Sequence, residues 1–374
     1  MQQLTKHQPA VSSSAGYPRV IEVGYRFSKN FDGINPPCLV NTVVGLLEGR
    51  NRAPKDTIEV ELISSTNDSE EVQELIGKRF VLGEKANRCS GKPLFMCGSD
   101  AKIQFALPVV LALLGSKQLY EVIRTLILSL PDADRAQELF GSVVEDYERL
   151  VRSVEGTHIF RWNGTTVTRQ IDEVECAYEG EGVREWAIWH GLVPPGSGLL
   201  VVDIGGRTVN LVPLDEDGEV IPEIQRSFEV GGTLDLANRI ARDADFETQF
   251  GSGYKLAEIM SAIQKASEYA ALYGGELDPI LGMGFNAKSF KKVFLRHREL
   301  WVDDIFGKME SELKDHWSLF GRGIFAGGSA NLLSHRLEGQ DFFVKVPDAQ
   351  TAHVKGLMLR HAPALAQEWV QTDE

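Results

Sequence analysis

Short, wholly apolar runs that stop at an acidic residue or a glycine punctuate this chain. Leu199, Leu200, Val201 and Val202 form one of them, the pattern of a strand buried on both faces. Asp203 and Ile204 follow, Gly205 and Gly206 supply a turn, and Arg207 to Val212 alternate like a returning hairpin strand. Near the start, Val20, Ile21, Glu22, Val23 and Gly24 repeat the order and lead into Tyr25, Arg26, Phe27, Ser28 and Lys29. Far downstream, Ile324, Phe325 and Ala326 run into Gly327, Gly328 and Ser329, with a helix start over the residues that follow.

The remaining patterning predicts strands over 37–44, 57–62, 79–84, 123–130 and 342–346. A hairpin is predicted over 157–162 and 165–171, around the strong turn signal Asn163-Gly164. Helices are predicted over 102–124, 134–155, 180–190, 233–242, 255–272, 290–313 and 353–370. Residues 1–18 are polar and Ser-rich and read as a disordered lead-in. Pro194, Pro195, Gly196 and Gly198 mark a break between domains. One lobe is then 19–196 with a C-terminal helix over 355–374, and the other is 197–354. The two strand–acid–glycine hairpins stand half a chain apart, as in a duplicated architecture.

Composition narrows the field. A chain of 374 residues is long enough for two domains. A net charge of −14 argues against direct DNA binding, which needs a basic face, so any role on DNA calls for a basic adaptor protein. The four cysteines show no metal-binding spacing and read as isolated thiols of a reducing, cytoplasmic compartment. No apolar leader opens the sequence, and the apolar run 105–114 contains Pro108 and is too short to span a bilayer. No membrane partner is expected.

The glycine pairs carry the candidate chemistry. Without a Cβ, the backbone of Gly205-Gly206 can approach a bulky anion, and its N–H groups can cradle phosphate oxygens. A carboxylate at the strand tip, Asp203, can hold the water shell of Mg²⁺. An ordinary buried hairpin has the same local pattern. Two strand–acid–glycine hairpins followed by a strand–Gly-Gly–helix, in that order, nevertheless resemble the actin-like ATPase superfamily. Within it the chain is most similar to the ParM/StbA-like plasmid-partitioning actins and their archaeal relatives.

That resemblance implies an α/β, ribonuclease H-like fold with two similar lobes around a nucleotide cleft, and ATP or ADP with Mg²⁺ as ligands. GTP stays open beside ATP. It implies that Asp203 and Glu22 act on the metal through water, and that Glu179 orients the attacking water. Nucleotide contacts fall to Gly24, Tyr25, Ser28, Lys29, Gly205, Gly206, Arg207, Thr208, Gly231, Gly232, Gly327, Gly328 and Ser329. Three positions depart from the family pattern: Glu22 stands for Asp, Arg26 for Gly, and Tyr178 for the Pro before the catalytic Glu. The stretch 347–356 resembles a segment of partitioning actins and reads as structural, with Gly356 allowing close packing. The implied function is an ATPase that polymerises with itself and segregates plasmid DNA through an adaptor. A non-polymerising nucleotide-binding sensor and a small-metabolite kinase of the same superfamily are the alternatives.

Overall fold

In the computed structural model, which describes residues 17–24, 27–49, 51–89, 99–130, 152–228, 231–251, 254, 256–282, 284–365 and 369, the apolar runs become the central strands of two sheets. The first sheet holds β1 (Arg19–Glu22), β2 (Phe27–Phe31), β3 (Cys38–Asn41), β4 (Val44–Leu46), β5 (Ile58–Ser65), β6 (Arg79–Leu82), β7 (Tyr120–Leu130), β8 (Gly156–Trp162) and β9 (Thr165–Tyr178). The second holds β10 (Gly198–Ile204), β11 (Val209–Leu214), β12 (Arg226–Phe228), β15 (Phe320–Ala326) and β16 (Phe343–Lys345), while β13 (Ile280–Leu281) and β14 (Lys288–Ser289) form a separate pair. The helices are α1 (Glu70–Gln73), α2 (Ser99–Leu114), α3 (Glu181–Trp189), α4 (Thr233–Ala241), α5 (Ala244–Phe250), α6 (Leu256–Tyr273), α7 (Lys291–Leu313), α8 (Ser334–Leu337) and α9 (Ala352–His361).

The two sheets share one topology. In the first, the order β3-β2-β1-β7-β9 has an antiparallel meander followed by two strands parallel to β1. In the second, β12-β11-β10-β15-β16 repeats that order and those directions. The first sheet then continues through β8, β5, β6 and β4. The chain divides into two compact units: residues up to Gly182 together with the segment from Val354, and Val183–His353. The boundary falls inside α3, ahead of the Pro194–Gly198 break.

Side-chain alternation decides what covers the first sheet. Ile21, Leu126 and Leu128 share a core cluster with Ala106, Val109 and Val110 of α2. Their neighbours Val20 and Ile127 point the other way, into a cluster with Val354, Leu357 and Met358 of α9. Burial on both faces is why these strands read as continuous apolar runs. Tyr17, which the sequence places in the lead-in, packs on the α9 cluster. The rest of that lead-in, up to residue 16, lies outside the described residues, as does the helix expected over 134–155 except for its last turn at 152–154.

Several expected bounds are corrected. The helix of 102–124 stops at Leu114, and β7 begins at Tyr120. A Cβ on Gly115 would lie 1.9 Å from the Trp162 ring, so the chain turns there against an indole. The expected 37–44 strand is two, β3 and β4. The expected helix after Gly328 opens as a 3₁₀ turn, Ala330–Leu333. The C-terminal helix is interrupted after His361, two residues before Pro363, which disfavours helix in the residue preceding it, and helix is assigned again at 364–365 and 369.

A buried ionic chain crosses the first unit. Arg169 is 0% exposed and donates to the Leu114 and Thr168 carbonyls and to Ser116 Oγ. It also lies 3.2 Å from Glu121 Oε2. Glu121 in turn binds Arg19 at 2.6 Å, and Arg19 reaches Asp32 at 3.2 Å.

In the second unit, α4 packs on α6 and α7. Phe306 of α7 meets Phe325 and Phe343 on β15 and β16, at ring-centroid distances of 5.7 and 5.4 Å. Asp243 caps α5, accepting from the Asp245 and Phe246 N–H groups, and is held by His297 and Arg296 of α7. Burial alone would raise its carboxyl, but hydrogen bonds from His297, Arg296, Phe246 and Asp245 outweigh that and lower it from 3.8 to about 2. A depressed carboxyl contributes stability that is complete above its unfolded pKa and is lost as pH falls through the folded one. The urea midpoint gap between the wild type and Asp243→Asn should therefore be full near neutral pH and shrink as pH falls from about 4 toward about 2. A gap that stays constant over that window would contradict this account.

Candidate functional site

The predicted chemistry collects at the carboxyl ends of the parallel strands in each unit, the edge where open α/β sheets bind ligands. In the second unit, β10 ends near Asp203, paired in register with Asn210 on β11 and Ala326 on β15. Three glycine bends nest around this point. In the first, the Gly205 N–H donates to the Thr208 carbonyl at 2.9 Å, closing the hairpin. Gly205, Gly206, Arg207 and Thr208 are all half-buried, as a lining open to solvent requires.

The second bend, Gly231-Gly232, lies directly on the first. A Cβ on Gly232 would sit 2.5 to 2.7 Å from backbone atoms of Arg207 and Gly206, so only glycine fits. From there the N-terminus of α4 bonds into the turn. Gly232 N–H donates to Arg207 O at 3.3 Å, Thr233 N–H to Gly205 O at 3.3 Å, and Leu234 N–H to Gly206 O at 2.8 Å.

The third bend follows β15. Gly327 has φ +87°, and a Cβ there would lie 2.2 Å from Asp203 Oδ1 and 2.5 Å from the Ile204 carbonyl. Ser329 then ties all three together: its N–H bonds Ile204 O at 3.0 Å, its hydroxyl bonds Gly205 O at 3.1 Å, and it also bonds the Thr233 hydroxyl. Gly327 N–H donates to the Ala349 carbonyl at 2.9 Å, and Gln350 flanks Gly328. The 347–356 stretch thus supports the third bend as well as starting α9. Thr233 and Gln350 were not singled out by sequence; a Thr directly after a Gly-Gly pair was the available signal.

The first unit holds the other predicted residues. Glu22 and Lys29 are cross-strand partners on β1 and β2. The Lys29 ammonium donates to both Glu22 oxygens, at 2.6 and 2.7 Å, and Lys29 is 7% exposed. Gly24 closes this hairpin, where a Cβ would lie 2.4 Å from the Phe27 carbonyl. Strand pleating puts Ser28 on the opposite face from Lys29, fully buried and bonded to the Thr42 hydroxyl at 3.0 Å. Its hydroxyl is therefore engaged inside the sheet. Tyr25, like Arg26, lies outside the described residues.

Register places Glu22 beside Ser129 on β7, and Ser129 beside Ala177 on β9. Glu179, half-buried, occupies the turn just past β9 and so shares an edge with Glu22. It precedes Gly180, at φ +96°, and α3. Its neighbours Glu175 and Glu181 are held by His361 and Arg360 of α9, each at 3.1 Å.

Within the second unit, Asp203 stands at a strand tip against a glycine cradle, a place that suits the water shell of Mg²⁺. Within the first, both Glu22 oxygens face the Lys29 ammonium. Among the described residues no helix is long and apolar enough to cross a membrane.

No protein-family model matches the chain, and no curated protein matches it. Solved structures do. The actin-like protein Alp7A is 16% identical over 95% of this chain and 97% of its own, with a TM-score of 0.68. A ParM from a 15-stranded filament of Clostridium botulinum is 15% identical over 93% and 99%, with a TM-score of 0.68. Ta0583, an archaeal actin homolog in complex with ADP, is 16% identical over 91% and 98%, with a TM-score of 0.66. At such identities the common property is the backbone architecture. The chain has the actin-like fold.

Proposed function

We propose that this chain binds and hydrolyses a purine nucleoside triphosphate, ATP first and GTP as the open alternative, and assembles into filaments with itself. The observation that carries the reading is the nest of three glycine bends around Asp203. It sits on a fold shared with a filament-forming ParM and with an archaeal homolog that holds ADP. The bends of 205–208 and 327–329 offer backbone to phosphates and to a flat nucleoside. Asp203 would hold Mg²⁺ through the ion's water shell, and the bound ion would neutralise phosphate charge. Lys29 would leave Glu22 for a phosphate oxygen, which would free Glu22 toward the metal's water shell. Glu179 would orient the attacking water.

Filaments of this kind would segregate plasmid DNA in the cytoplasm. With a net charge of −14, the contact to DNA would pass through a basic adaptor. The Glu22–Lys29 pair favours a second reading, a nucleotide-binding protein that turns over slowly and does not assemble. Ultracentrifuge pelleting separates the two. The protein should sediment with ATP and Mg²⁺ and stay in the supernatant without nucleotide. No nucleotide-dependent pellet at any salt or protein concentration would remove the filament reading.

A further inference from the structure

The largest fully buried side chain of the described residues, Trp301, donates its indole N–H at 2.6 Å to the carbonyl of Gly231. Trp301 is 0% exposed on α7, seventy residues along the chain from that glycine. Phe or Leu would fill a core without demanding a hydrogen-bond partner, whereas a buried indole N–H must find an acceptor. Here the acceptor is the backbone of a bend at φ +146°, a conformation that side-chain-bearing residues rarely adopt.

That bend is the one locked to the 205–208 turn. Gly232, Thr233 and Leu234 donate their N–H groups to the carbonyls of Arg207, Gly205 and Gly206. A continuous set of short contacts therefore runs from the indole, through Gly231 and Gly232, to the turn. A second tie holds the same two helices together: Arg239 of α4 binds Asp304 of α7 at 2.7 Å.

We propose that Trp301 is a positioning residue for the phosphate-binding turn. Its N–H fixes the Gly231-Gly232 bend, and the bend fixes the carbonyl side of the turn, so that the turn's other face keeps its shape for an anion. The ligand rests on the nucleotide reading above; the mechanical link does not.

Two variants and two readouts test it. Trp301→Phe removes the donor and keeps an aromatic core. Phe294→Leu, at another fully buried position on α7, loosens the core and keeps the Trp301 N–H donor. In the nucleotide-free protein, hydrogen exchange at the Gly232, Thr233 and Leu234 amides should rise about five-fold or more in Trp301→Phe and stay near wild type in Phe294→Leu. ADP with Mg²⁺ should bind about ten-fold more weakly to Trp301→Phe only, the scale of one lost hydrogen bond. Unchanged exchange in Trp301→Phe overturns the proposal, and so do equal effects from both variants. Raised exchange in Trp301→Phe alone, with no heat from ADP in the wild type, upholds the link and removes the nucleotide reading instead. If Trp301→Phe does not fold, the Trp301 indole N–H resonance of the wild type serves. It should shift on adding ADP with Mg²⁺, and a fixed resonance in a protein that binds ADP overturns the proposal.

Discussion

Replacing Asp203 by alanine should cut Mg²⁺-dependent nucleotide affinity and phosphate release by about 100-fold or more, a loss typical of removing one preorganised charge from a phosphoryl-transfer site. The expectation rests on position. Asp203 stands at the tip of β10, level with Ala326, and the Gly327 bend passes so close that any Cβ there would collide with Oδ1. The carboxylate is thus held at the rim of the glycine nest. Asp203→Asn keeps the shape and loses the charge, so it should share most of the defect. Calorimetry with ADP and Mg²⁺, and phosphate release from ATP, give the numbers. A circular dichroism melt establishes that the variants are folded. Folded variants with wild-type affinity and turnover would sink the proposed role.

Truncating Arg169 to alanine should destabilise the protein by about 3–5 kcal/mol, the usual result of leaving half of a buried ion pair behind. Arg169 is wholly enclosed, and Glu121 beside it is 8% exposed. Loss of the guanidinium takes one buried cation from Glu121, which keeps Arg19, and removes the donor to the Leu114 carbonyl, at the point where α2 must stop. Replacing both members of the pair, as in Arg169→Met with Glu121→Leu, should recover much of that loss, because no lone charge stays buried. Urea unfolding of the single and double variants measures both effects. A single variant within about 1 kcal/mol of wild type would show that the network carries little of the fold's stability.

What could be read in advance had local causes. The runs at 20–23 and 199–202 announce strands because both faces of each sheet core are covered, and the Gly-Gly pairs announce bends because the backbone there admits no Cβ. The misread elements lacked such local marks. The stretch from Leu107 to Leu130 is dense in apolar residues, so helix and strand run together in sequence, and the break at Gly115 is enforced by Trp162 from β8. The second half of β9 shows Asp172 and Glu173 to solvent, so the strand expected to end at 171 runs on to Tyr178 without an apolar run to mark it. Ser28 matched a phosphate-binding pattern, yet pleating turns its hydroxyl into the sheet toward Thr42. Nothing near Gly231 in sequence points to Trp301, because that contact exists only once α7 has packed.

The return of the chain after Val354 has a consequence for how the protein is made. The segment Val183–His353 is continuous, so it can close its core as soon as it leaves the ribosome. The earlier unit cannot. Among the described residues, the helix that covers one face of its sheet, at Val20 and Ile127, brings Val354, Leu357 and Met358, which are synthesised after the whole second unit. Translation order and completion order are therefore reversed. In the interval the nascent chain carries an open apolar surface, the kind that chaperones hold and that aggregation exploits.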